Sequence, residues 1–178
     1  MKSASIGRGY SFAKPIRYDM IQSSIHKSEE AKALSVTSEA FEDRTYISPK
    51  YTCDGLNINP PLHISNIPPE TKSLAIIVED TDSPTGIWTH WIVWNISPIG
   101  QINENTVPGS EGINDFRKQH YGGPCPPSGT HHYHFKVYAL DELLDLKPDT
   151  EKREIEKAIS SHMLAFGELV GLYKRSFS

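Results

Sequence analysis

Apolar residues along this chain fall into short runs, and Pro and Gly separate them. Ser73 to Glu79 (SLAIIVE) is a continuous apolar run of strand length, the pattern of a central strand buried in the sheet. His90 to Ile96 (HWIVWNI) and Tyr133 to Leu140 (YHFKVYAL) are rich in aromatic and β-branched residues, as strands are. Turn signals lie between these runs at Ser48-Pro49, Asn59-Pro60-Pro61, Ile67-Pro68-Pro69, Ser83-Pro84, Ser97-Pro98, Pro108-Gly109 and Gly123 to Pro127. From Thr150 to Gly167 the period changes. Ile155, Ala158, Ile159, His162, Met163 and Phe166 recur at helical spacing, with Lys152, Arg153, Glu156 and Lys157 off the stripe. Asp149 or Thr150 is the candidate N-cap and Gly167 the candidate stop. Leu169 to Lys174 then reads as a last strand. Short strands between turns predict a sandwich or Greek-key arrangement. Residues 1–33 hold no period and read as an extension, partly disordered or draped on the surface. The compact domain is expected over residues 34–178.

Charge and cysteine usage narrow the classes. Eighteen basic against 22 acidic residues give a formal charge of −4. Without a basic run, nucleic acid is not expected as the main partner. Cys53 and Cys125 are too few for a disulfide framework. Two free thiols in a reducing cytosol is the favoured reading, and pairing stays open. Leu74 to Val78 is the longest apolar run, far too short to cross a bilayer. Met1 to Glu30 has a basic start but no apolar stretch of signal-peptide length. The expectation is a soluble, cytoplasmic protein.

The candidate chemistry sits at strand ends. Residues two apart in a strand point the same way, so Asp80 and Asp82 share a side with Ile76 and Val78. By the same rule His90 goes with Ile92, Trp94 and Ile96. His131 and Tyr133 go with Phe135 and Val137, and His132, His134 and Lys136 face the other way. The Gly- and Pro-rich loop before His131 leaves backbone N–H groups free to cradle an anion, while imidazole and phenol add directional donors. Each feature taken singly is more often structural: a core histidine, a turn-forming Asp, a plain loop.

Two blocks together carry a resemblance. Asp80-Thr-Asp-Ser-Pro84 followed by His90-Trp91 is similar to the Asp-Pro-Asp-x-Pro block, and the His on the next strand, of the phosphatidylethanolamine-binding family. Tyr121-Gly-Gly-Pro-Cys-Pro-Pro-Ser-Gly-Thr-His131-His-Tyr133 resembles its Gly-Pro-x-Pro-Pro-x-Gly loop ending in His-x-Tyr. Tyr51 to Gly55, Asn59-Pro60-Pro61 and the tail from His162 to Arg175 resemble the bacterial and archaeal, Raf-kinase-inhibitor-like branch. The match runs from about Leu34 to Arg175. Thr81 stands where the family has Pro, His63 where the branch often has Trp, and His132 and His134 are additional and expected on the surface.

The resemblance implies a mostly β, antiparallel Greek-key fold of two sheets, with a C-terminal helix and few short helices. It implies a pocket at one end lined by Asp80, His90, His131 and Tyr133, walled by Pro84, Gly123 and Pro124, with Asp82 adjacent. Such a pocket takes phosphate, a carboxylate or a phospholipid head group. Asp80, a carboxylate beside an anion, is then expected to hydrogen-bond a histidine. No catalytic residue, metal or cofactor is implied. The alternatives are an inhibitor of a kinase or protease acting through a protein surface, and a metal-dependent hydrolase or a Cys125–His131 pair. Homodimers, common in the bacterial branch, are a further implication.

Overall fold

The structure, a computed structural model, describes residues 32–175. The expected N-terminal extension, residues 1–33, lies outside the described residues except for Lys32–Ala33, which form a strand. Ten strands form two sheets. They are β1 (Lys32–Ala33), β2 (Ser35–Thr37), β3 (Thr45–Tyr46), β4 (Leu62–Ser65), β5 (Ser73–Asp80), β6 (Trp88–Ile96), β7 (Gln101–Ile102), β8 (Ser110–Glu111), β9 (His131–Leu140) and β10 (Met163–Tyr173). A 3-10 turn spans Pro49–Tyr51 and a helix, α1, spans Lys152–His162. The larger sheet runs β1-β10-β9-β5-β6-β8, with β3 also on β10; the smaller runs β2-β4-β7. Pairing is antiparallel except for β1 and β3, which lie parallel to β10.

The composition of β5 follows from its position. All eight of its residues are buried, because the large sheet is covered on both faces. Leu74, Ile76 and Val78 face a core shared with the small sheet through Val36, Leu62, Ile64 and Ile102. Ala75 and Ile77 face a second core built with Ile155 and Ile159 of α1. Fully burying one such aliphatic side chain contributes about 1.5–3 kcal/mol. A strand with two apolar faces therefore reads as a continuous run. In β9 burial alternates, with His131, Tyr133, Phe135 and Val137 inside.

The C-terminal helix is shorter than its stripe predicts. It ends at His162, and Met163 opens an eleven-residue strand. Met163 and Phe166 thus belong to β10, where Phe166 packs on Tyr138. Pairing along the length of β9 outweighs the local helical pattern there. Gly167 is no helix stop. It lies inside β10, where a Cβ would come within 2.6 Å of the Leu34 carbonyl oxygen. The N-cap is Glu151, with no side-chain capping bond. Thr150 instead accepts a bond from the Lys147 N–H.

Two irregularities in β6 set side-chain direction. Val78 pairs with Trp91 but Glu79 with Thr89, which leaves His90 as an extra residue in a bulge. A second shift between Leu74 and Ile76 leaves Asn95 extra, in the left-handed conformation at φ 56°. Asn95 is fixed there by bonds to the Leu144 N–H and carbonyl. A bulge resets the alternation. Ile92 and Trp94 face the helix-side core, while Trp91, Val93 and Ile96 face the other. The expectation that His90 shares a side with Ile92, Trp94 and Ile96 is therefore corrected.

Cys53 and Cys125 form a disulfide, with their Cα atoms 5.4 Å apart. The expected free thiols are thus corrected. The covalent tie is reinforced by the Cys53 N–H donating to the Pro124 carbonyl. Among the described residues no helix is long and apolar enough to cross a membrane.

Candidate functional site

The ends of β5, β6 and β9 meet at a cavity of about 210 Å³ lined by Asp80, Pro84, Trp88, His90, Phe116 and Cys125, among others. Of the residues the sequence singles out, Asp80, Pro84 and His90 line it directly. His131 and Tyr133 lie behind that lining, both buried. Gly123 lines a neighbouring cavity. Pro124 fastens the loop through its carbonyl to Cys53. Asp82 turns away to the surface, where it accepts bonds from the N–H of His132 at 2.8 Å and from its Nδ1 at 2.6 Å. The His132 hydrogen bond holds the Asp82 carboxyl below its ordinary range.

Asp80 has both carboxylate oxygens engaged. Oδ2 lies 2.7 Å from Nδ1 of His131, and Oδ1 accepts the Asp82 N–H at 2.9 Å. A carboxylate selects the tautomer of His131 with a proton on Nδ1. Both partners are more than nine-tenths buried, so bulk water does little to weaken their contact. Thr81, in place of the motif's Pro, keeps an N–H that donates to the His132 carbonyl. That bond carries the β5–β9 ladder one residue further and steadies Asp80.

His90 is oriented from its backbone and its ring. Its Nδ1 sits 2.6 Å from the Gly122 carbonyl, which requires a proton on Nδ1. The Gly123 backbone makes a second, lesser contact with the ring, and no side chain among the described residues bonds Nε2. Burial pulls the ring below the ordinary imidazole value of 6.5, against the opposing pull of the Gly122 carbonyl. At neutral pH the ring is therefore uncharged. The His90 carbonyl accepts from the Gly122 N–H and from the Asn114 side-chain amide. Asn114 is buried and saturated. Its amide also donates to the His120 carbonyl, and its oxygen accepts from the Phe116 and Lys118 N–H groups. One side chain thus holds the bulge and the following loop together.

Aromatic rings build the rest. Phe116 meets Trp88 and His90 edge-on, with centroids 5.6 and 5.2 Å apart, and His90 meets Tyr133 the same way at 5.2 Å. The Tyr133 hydroxyl is buried beside the Asp80 carboxylate and the Cys125 N–H, without a hydrogen bond of ordinary geometry among the described residues. Burial, and then the nearby Asp80 charge, hold that phenol protonated. An unsatisfied buried O–H costs about 1–3 kcal/mol and marks a donor that a bound molecule or a water can use.

The Pro-rich loop is pinned from outside. The Gly123 N–H donates to Asn57 Oδ1 at 2.7 Å. A Cβ on Gly123 would come 2.5 Å from the Tyr51 carbonyl oxygen, so only glycine fits this approach. Sequence reasoning did not single out Trp88, Phe116, Asn57 or Asn114. Trp88 stands two residues before His90 in an aromatic run, a signal that the bulge obscures. Phe116 and Asn114 lie in a loop without a period. Cys125 is in the disulfide and offers no thiolate for a Cys–His pair. Among the described residues no three His, Cys, Asp or Glu side chains are placed to hold a metal ion.

Comparison with known proteins follows the same outline. The family model described as "Phosphatidylethanolamine-binding protein" matches residues 37–174. A UPF0098 protein of Pyrococcus horikoshii is 49% identical over 158 residues, covering 83% of this chain and 79% of its own length. A UPF0098 protein of Methanothermobacter thermautotrophicus is 44% identical, over 80% of this chain and 99% of its own. Among solved structures, a phosphatidylethanolamine-binding protein homologue from Chlamydia trachomatis superposes with a TM-score of 0.78 at 38% identity, covering 82% of this chain and all of that one. E. coli YbcL, described as a member of the mammalian PEBP family, gives 0.75 at 28% identity, over 80% of this chain and 99% of its own.

Proposed function

This chain belongs to the phosphatidylethanolamine-binding protein family, and we propose that it binds a small anionic ligand in the cavity beside Asp80 and His90. The ligand class is a phosphate, a carboxylate or a phospholipid head group. The observation that carries the reading is the free Nε2 of a buried His90 whose Nδ1 is spent on Gly122.

Neutral, Nε2 accepts a hydrogen bond; protonated, it donates one and carries charge. A bare anion therefore enters together with a proton. A ligand that brings its own proton, such as an ethanolamine ammonium or an acidic phosphate O–H, meets the neutral ring directly. Asp80 does not oppose this strongly, because its oxygens are occupied by His131 and the Asp82 N–H. The role needs no nucleophile and no metal. We place the protein in the cytoplasm. A disulfide is compatible with that in cells whose intracellular proteins carry them, as hyperthermophilic archaea do.

Calorimetric titration with acetate tests the reading. Wild type is expected to bind in the millimolar range, about −4 kcal/mol. His90→Ala is expected to bind at least about tenfold more weakly, a loss of about 1.4 kcal/mol, with its fold intact by circular dichroism. Equal affinity in the two proteins would remove His90 from the site.

A further inference from the structure

We propose that the His90 cavity is one end of a longer groove, and that the groove takes a short peptide ending in a free carboxylate. The inference rests on the anion-binding reading for that end and adds the rest of the ligand.

The cavities lie side by side. The first, of about 210 Å³, shares Phe116 and Cys125 with a second of about 110 Å³. The second shares Asn57 and His120 with a third of about 140 Å³, which Asn105, Thr106, Val107 and Glu111 complete. The walls of this flank are tied to each other. The disulfide and the Gly123–Asn57 bond join the Pro-rich loop to the segment after the 3-10 turn. Asn59 joins that segment to the loop before β8, through bonds to the Asn103 carbonyl and the Thr106 N–H. A groove with fastened walls is largely formed before a ligand arrives, which lowers the ordering cost of binding.

The polar groups divide into two sets. Asn59 and Asn114 are buried and saturated, and they form the frame. The Asn57 side-chain N–H₂, the Asn105 amide, the Lys118 amine and the His120 ring face outward, without a hydrogen-bond partner among the described residues. Amides offer a donor and an acceptor together, which is what a peptide backbone requires. Lys118, in the cavity next to that of His90, adds positive charge on the path of an entering terminal carboxylate. So few cations, on a chain of charge −4, do not suit a polyanion.

Apolar exposure points the same way. Among the described residues, the large exposed apolar side chains are Tyr46, Leu56, Ile87, Ile99, Val107, Ile113, Phe116 and Leu143. Val107 and Phe116 of this set line the groove. Apolar side chains interleaved with amides and a cationic end match a peptide better than a sugar or a nucleic acid.

The test uses the full chain and an array of acetylated pentapeptides with free C-termini. The best binders are then measured in solution as free acid, as C-terminal amide, and beside acetate. The expected result is a peptide at least about tenfold tighter than acetate, whose gain is lost on amidation. In Val107→Glu and Asn105→Asp, exposed positions that line only the third cavity, the peptide should weaken at least about tenfold while acetate binding stays unchanged. Peptides no tighter than acetate, or unaffected by both variants, would overturn the groove and leave the anion pocket standing. An amide as tight as the acid would overturn the placing of the carboxylate. If acetate fails to bind wild type, the pocket reading falls and the groove proposal with it.

Discussion

Asp80 and Asp82 show what one residue's setting decides. They are the same residue type, two positions apart and on one face by strand alternation. Asp80 is the last residue of β5 and is buried against His131. Asp82 lies past the strand end, half-exposed, and serves His132. Removing Asp80 strands a buried imidazole and frees the Asp82 N–H. We expect Asp80→Ala to cost about 2–4 kcal/mol of stability and Asp82→Ala less than about 1 kcal/mol. Urea denaturation of both variants checks this, and equal losses would mean that the Asp80–His131 pair is not the one that matters. The sequence pattern placed both acids at the strand end. It could not separate them, because the turn that redirects Asp82 is made by Asp80's own side chain.

At the scale of elements, the pattern was legible where both covering layers impose it. The apolar run of β5 and the alternation of β9 appear as the residues predict. Its failures are tertiary in origin. The helical stripe runs on into β10 because Met163 and Phe166 happen to continue its spacing, while β9 pairs with Met163 and, past a shift at Leu164, with every residue from Ala165 to Tyr173. The bulge at His90 depends on the pairing of two strands and on Asn114, neither of which a one-strand period encodes.

Docking of α1 rests on a buried charge as well as on Ile155 and Ile159. Glu79 is buried beneath Lys136 and Lys152, which bond it from β9 and α1. Burial pushes its carboxyl up, but the two ammonium groups outweigh that and leave it below its ordinary value of 4.5. A lowered carboxyl pKa stabilises the fold above the unfolded value and loses that contribution as pH falls through the folded one. Glu79→Gln should therefore cost about 1.5–3 kcal/mol at neutral pH. The difference from wild type should shrink well below pH 4.5. Guanidinium unfolding at both pH values measures it; a pH-independent difference would contradict the charged state of Glu79.

For the whole molecule, two sheets and a helix bury two cores and leave the open ends of β5, β6 and β9 as the place for chemistry. Two sequence blocks, around Asp80 and around His131, pointed to that end through their family resemblance, since strand spacing alone does not bring separate strand ends together. The facing wall was not legible. Phe116, Asn114 and Asn57 come from loops, and the cysteines stand 72 residues apart. A cross-link closing a loop of that length stabilises by about 4 kcal/mol in the chain-entropy account, and here it also holds the cavity's rim.

The central claim is that an anion is held at the free Nε2 of His90. The most direct test is the ¹⁵N NMR signal of that nitrogen, followed at neutral pH while acetate is added to saturation. The free protein should show an unprotonated Nε2, since burial keeps the ring neutral. Bound acetate should convert it to the protonated type, with His132 and His134 unmoved, and the affinity should weaken by up to about tenfold for each pH unit of increase, as uptake of one proton requires. A ring that stays neutral and unshifted at saturating acetate would contradict the account.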